Sequence, residues 1–345
     1  MIRATYELAP PGSAAALARL QTTGLAAGDE SVRGRVISAD GELAVLEFPD
    51  ANWGANVPLL VSTLVAGEAT EKRAFTRCRL IELELPDELL PGPAFGARPG
   101  DTGTTSKRAA VGLIVKPQIG LRPDEFAAVA RVAVDAGADL IKDDEVLGDP
   151  PICPLEDRVR AMVEVLTDHP GVVYCPNVTG PSGTLVQRAA RVVELGATGV
   201  MVNAFAQGLD SILSLRQADL GVPILAHRAG SGPIARNEDF GATGDVLARL
   251  TRLCGADHVI VGAFAGGLFE DDRSTERNLS AVRGPCGRAR PSVAVLGGGV
   301  GPANAAAQVA RAGGGGLMVL LGAAAYDHPG GVGEAVRATV DALGR

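Results

Sequence analysis

GADLIKDDE, residues 137–145, carries a pattern that repeats through most of the chain: a short apolar run stops abruptly at charged side chains, here Lys142, Asp143, Asp144 and Glu145. The same grammar recurs in VGLIVK ending at Lys116, GVVYCPN at Asn177, TGVMVN at Asn203, VPILAH at His227, DHVIVG at Gly262, SVAVLG at Gly297 and GLMVLLG at Gly322. A longer segment of helical periodicity follows each run. Strands buried on both faces read as continuous aliphatic runs, and eight βα units in roughly 250 residues match a (β/α)8 TIM barrel. A final helix is expected near residues 333–343.

Residues 1–90 do not alternate in this way. They predict a strand at 2–8, a helix at 13–21, strands at 31–38 and 43–48, a helix at 57–64 and a strand at 75–85. The segment PGPAFGARPGDTGTTSK, residues 91–107, is dense in Gly, Pro, Thr and Ser and reads as a linker. The expected fold class is therefore α/β, a TIM barrel over residues 99–345 preceded by a smaller α+β, ferredoxin-like domain over residues 1–98.

A net charge of −8 and a pI near 5.2 argue against nucleic acid or an anionic membrane as a partner. No uncharged apolar run approaches membrane-spanning length, and no leader pattern opens the chain. The five cysteines are odd in number and never spaced C-x-x-C, which points to a reducing, cytoplasmic setting and against a disulfide framework or zinc ribbon.

Catalytic groups of TIM barrels sit at the carboxyl ends of the strands, so the polar residues ending each run are the candidates. Alternate strand residues share a face, so Lys142 and Asp144 point together, Asp143 points away, and Glu145 lies where the strand becomes a loop. Two carboxylates suit a hard cation such as Mg2+. Two readings of the lysine stay open: it neutralises the carboxylates as a structural ion pair, or it loses its proton through crowding and burial and takes up carbon dioxide, becoming a carbamate and a third oxygen ligand. LGGGVGPANAA and LLGAAAY stand where barrels present backbone N–H groups to a phosphate, which nominates Gly297, Gly298, Gly299 and Gly322, with a helix N-terminus from Ala303 pointing toward the site. The glycine spacing fails the dinucleotide fingerprint. Arg228 is a candidate cation for the opposite end of a substrate, against the alternative of a rim ion pair. His227 is an acid, base or hydroxyl contact, and Asn177 a contact to substrate or to metal-bound water, against the alternative of a turn residue. His258 and His328 read as structural, and Glu68 either as a group reaching a neighbouring subunit or as a solvated surface residue.

The run VGLIVKPQIGL, then GADLIKDDE and DRV, resembles the large subunit of RuBisCO and its RuBisCO-like, form IV relatives. ILAHRA, CGADHVIVG, the three-glycine turn and GAAAYDHPGG follow in the family's order, and MIRATYEL resembles the family's opening. The resemblance implies a homodimer with a shared active site, Mg2+ on a carbamylated Lys142 with Asp144 and Glu145, and a proton-transfer role for Lys116. It also shows departures. Gln118 stands where RuBisCO has a second lysine, Gly267 where it has a mobile one, Ile260 where it has a histidine and Glu68 where it has an asparagine. Carboxylation of ribulose bisphosphate is therefore expected to be absent. What remains is enolisation or isomerisation of a small phosphorylated ketose or diketo compound. The alternatives are a decarboxylase of a phosphorylated β-keto sugar acid and a catalytically silent regulatory homologue.

Overall fold

The computed structural model describes residues 1–24, 28–65, 67–97, 109–313 and 315–345. The boundary expected at residue 98 and the second half of the expected linker lie outside those residues. The first sheet begins with β1 (Ile2–Ala9), β2 (Arg35–Asp40), β3 (Leu43–Phe48) and β4 (Arg77–Glu84) in the antiparallel order β4-β1-β3-β2. With helices Ala14–Leu20 and Val57–Leu60 between the strands, this is the ferredoxin-like arrangement. Strand β1 alternates strictly, burying Ile2, Ala4, Tyr6 and Leu8 against the helices. The strand expected at 31–38 starts late. Asp29 accepts a bond from the Ser31 N–H (2.8 Å), which caps a 3-10 turn over Glu30–Val32.

The second sheet contains all eight expected strands. They are β5 (Ala110–Ile114), β6 (Leu140–Lys142), β7 (Val173–Cys175), β8 (Val200–Asn203), β9 (Ile224–His227), β11 (His258–Gly262), β12 (Val293–Leu296) and β13 (Leu317–Leu321). Every pairing is parallel, in the order β7-β6-β5-β13-β12-β11-β9-β8. A parallel bridge between Asn177 and Met201 closes the ends into a barrel. Leu140, Cys175, Met201, Leu225, Ile260, Val293, Val295 and Met318 fill its interior. The last helix runs over Gly331–Ala342.

One strand has no counterpart in the sequence reading. β10 (Phe240–Ala242) lies between β9 and β11 in the chain but leaves the barrel to pair, parallel, with β4 of the first sheet. Asp239 O and Leu80 O accept the flanking N–H groups of Cys78 (2.7 Å) and Thr243 (3.0 Å). The first half of the expected linker is docked rather than loose. The Asp257 carboxylate, at the amino end of β11, accepts from Phe95 N (2.7 Å), Gly96 N (2.9 Å) and Ile224 N (2.8 Å), and pairs with Arg216. Among the described residues no helix is long and apolar enough to cross a membrane.

Candidate active site

Residues two apart on β6 share a face, so Lys142 stands above Leu140 at the carboxyl end of the barrel, where it is fully buried. Its ammonium donates to Asp143 O (2.6 Å) and lies 3.6 Å from Glu145 Oε2. Lys116, just past β5, pairs with the buried Asp144. His227, ending β9, brings Nε2 to 3.5 Å from the same Glu145 oxygen. Three strand ends thus converge on one point. Glu145 Oε2 is buried there without a hydrogen-bond partner, and such an atom is costly unless something else satisfies it.

Asp143 points the other way, as alternation requires. It accepts from Arg158 (2.8 and 3.1 Å), from the Tyr174 hydroxyl (2.8 Å) and from Asn177 N (2.8 Å), locking the barrel wall to helix Leu155–Thr167. The Asn177 side chain donates to Asp144 O (3.3 Å) and Glu145 O (3.0 Å) and accepts from Thr179 N (3.1 Å). Its amide thus helps to hold the loop that carries the two carboxylates, and Asn203 Nδ2 assists at Glu145 O (2.7 Å).

Burial is the largest influence on Lys142 and lowers its pKa, against the opposing pull of Glu145, Asp144 and Asp143. Burial, reinforced by Lys142, also takes His227 down to about 3, so its imidazole is neutral near pH 7. Its Nδ1 accepts from Ala229 N (3.1 Å), which leaves the proton on Nε2. His227 is therefore a donor toward the convergence point, not a base there.

Above this cluster opens a cavity of about 510 Å³ lined by Lys116, Glu145, His227 and Arg228 and, across the mouth, by Gly297, Gly298, Gly299 and Gly322. Lys142 and Asp144 meet it through Glu145 and Lys116. Gly298 has φ +98°, and a Cβ there would lie 2.6 Å from Leu268 Cγ, so the turn requires glycine. The helix after this turn begins at Ala305, preceded by Asn304, whose side chain accepts from Gly301 N (2.9 Å), and the cavity wall is formed instead by residues 297–300 and 322–324. Arg228 lines the cavity but is paired with Glu270, a residue the sequence reading passed over. Tyr326 was passed over too. Its hydroxyl accepts from Lys116 N (2.7 Å) and donates to Ile114 O (2.9 Å), tying the segment after β13 to the strand end that carries Lys116. His258 is buried at the start of β11, and His328 accepts from Gly330 N within its turn (3.2 Å). Glu68 is on the surface, 3.4 Å from Lys72.

The cluster suits a divalent cation only if Lys142 contributes an oxygen. Among the described residues no three His, Cys, Asp or Glu side chains gather closely enough to hold a metal alone. Two carboxylates, an orphaned Glu145 oxygen and a lysine whose burial favours the neutral amine complete such a donor set once the amine carries a carboxyl group.

Residues 101–343 match the family described as ribulose bisphosphate carboxylase large chain, catalytic domain. The chain is 33% identical over 298 residues to a 3-oxo-isoapionate-4-phosphate transcarboxylase/hydrolase of Xanthobacter autotrophicus, covering 83% of this chain and 72% of that protein. It is 31% identical over 315 residues to a 2,3-diketo-5-methylthiopentyl-1-phosphate enolase of Geobacillus kaustophilus, covering 86% and 74%. The crystal structure of a rubisco-like protein from Alicyclobacillus acidocaldarius superposes with a TM-score of 0.86 at 30% identity, over 99% of this chain and 93% of that one. With the barrel, the ferredoxin-like domain and the lysine–carboxylate cluster in place, the chain belongs to the RuBisCO large-chain family, as a RuBisCO-like protein of form IV.

Proposed function

We propose that this protein is a Mg2+-dependent enolising enzyme that tautomerises a small phosphorylated ketose or diketo compound. The observation that carries the reading is the convergence of Lys116, Glu145 and His227, backed by the buried Lys142 and Asp144, on one wall of a cavity whose other wall is the glycine turn. Backbone N–H groups of residues 298–299 and 322–324 receive the phosphate, the Gly297 N–H being held by Gly262 O (3.1 Å). Lys142, as a carbamate, with Asp144 and Glu145 would hold the Mg2+, which supplies Lewis acidity at the substrate carbonyl. Lys116, on the cavity wall, takes the α-proton, and the His227 Nε2–H donates to a substrate oxygen. Return of the proton at a different carbon completes the tautomerisation. The same reading places the chain in a cytoplasmic homodimer with a shared active site and divides it at residue 98. Similarity to the transcarboxylase/hydrolase favours one second reading, loss of carbon dioxide from a β-keto sugar-acid phosphate through the same enolate.

The test is exchange of α-protons into deuterated water, followed by NMR on a 2,3-diketopentyl 1-phosphate with Mg2+ and bicarbonate. Exchange that stops on chelation is expected. Carbon dioxide release from a phosphorylated β-keto acid offered in its place, without exchange on the diketone, supports the decarboxylase, and absence of both supports a silent homologue. Burial pushes the Tyr326 hydroxyl up to about 12, so it remains a protonated donor. Tyr326→Phe is therefore expected to lower kcat about fivefold to tenfold with KM unchanged, on the scale of one hydrogen bond. A raised KM at full kcat would show that the hydroxyl serves binding and not the placement of Lys116.

A further inference from the structure

The glycine turn follows β12 and Arg228 follows β9, with β11 between them, so Arg228 lies two strands round the rim from the proposed phosphate site. Among the described residues the cavity is lined by two basic side chains, Lys116, paired with Asp144, and Arg228, whose surroundings remove it from holding a second anion at the far end of a substrate. Its guanidinium is paired with Glu270, whose side chain is 4% exposed. The second Glu270 oxygen has no partner, so the carboxylate is committed to Arg228 alone. The walls beside the pair are apolar: Ile260 from β11, and Leu268 and Phe269, each 40% exposed, from the loop that follows it. The Arg228 guanidinium lies 5.5 Å from the centre of the Phe269 ring. Arg236 lies at the same distance from that ring, but it is exposed and forms no part of the cavity wall.

We propose that Glu270 is a specificity determinant: by neutralising Arg228 beside Ile260, Leu268 and Phe269, it makes the far end of the cavity receive an uncharged, apolar group. The substrate then carries one phosphate and no second anion, which disfavours both a bisphosphate and a phosphorylated sugar acid. A buried, paired guanidinium offers a phosphate no net charge, whereas a freed one binds it through two parallel charge-assisted bonds. The inference rests on the glycine turn being the phosphate site proposed above.

The experiment measures, by calorimetry on the full chain with Mg2+, the affinity for three probes: pentyl phosphate, 5-phosphooxypentanoate and pentane-1,5-diyl bisphosphate. The wild type is expected to prefer pentyl phosphate at least tenfold over the other two. Glu270→Gln, which keeps the shape and removes the charge, is expected to abolish or reverse that preference while changing pentyl phosphate affinity less than threefold. Equal or tighter wild-type binding of either probe with a second anionic end overturns the proposal. So does an unchanged preference in a folded Glu270→Gln protein, and the wild-type comparison decides alone should that variant not fold. Inorganic phosphate titrated separately tells the two readings apart. If phosphate binds without the preference, only the role of Glu270 falls; if no phosphate binds, the phosphate site falls with it.

Discussion

Replacing Lys142 with alanine is expected to lower turnover at least 10³-fold, on the order of 4 kcal/mol of transition-state stabilisation, and to abolish Mg2+ binding measured by calorimetry. The reasoning starts from burial. Lys142 is inaccessible to solvent and lies 3.6 Å from Glu145, and desolvation favours its neutral form. A neutral amine attacks carbon dioxide, and the resulting carbamate supplies the oxygen that two carboxylates alone do not. The competing reading, a permanent ion pair, is separated by Lys142→Arg, which keeps a positive charge but cannot form the carbamate. Both variants should be inactive and should melt within a few degrees of the wild type. Full activity in the arginine variant would falsify the carbamate.

The second large effect concerns stability. Asp143→Ala is expected to cost roughly 3–5 kcal/mol, because it leaves Arg158 buried without a counter-charge. Both side chains are fully buried, and the Tyr174 hydroxyl and Asn177 N lose their acceptor at the same stroke. Denaturant unfolding followed by circular dichroism gives the number, and a loss below about 1 kcal/mol would mean that the carbonyls of Cys153 and Gly148, which also receive Arg158, suffice. Activity should fall as well, since Asn177 positions the Asp144–Glu145 loop.

Strand alternation made much of this legible in advance. With a period of two, the sequence alone separates Asp143, turned toward Arg158, from Lys142 and Asp144, turned inward, and the aliphatic runs place all eight barrel strands. What stayed hidden depended on partners distant in sequence. Nothing local marks FGA, residues 240–242, as a strand, because its partner β4 lies about 160 residues earlier and belongs to another sheet. The Glu270 carboxylate sits in a loop that drew notice for its missing lysine, and its meeting with Arg228 depends on how that loop folds back. Tyr326 follows an alanine run that carries no local signal, and only the barrel brings it against Lys116. The loop-holding bonds of Asn177 are hidden in the sequence for the same reason, since a polar residue at a strand end has the same appearance whether it faces ligand or a neighbouring loop.

The excursion of β10 onto β4 carries a mechanical consequence. A segment covalently anchored within the barrel at both ends forms the outer edge of the other sheet, so the small domain is stitched to the large one by main-chain bonds as well as by side-chain contact. The two should melt together in one cooperative transition, and rigid-body swinging between them is closed off as a way of opening the active site. Whatever admits substrate must then be the loops around the rim.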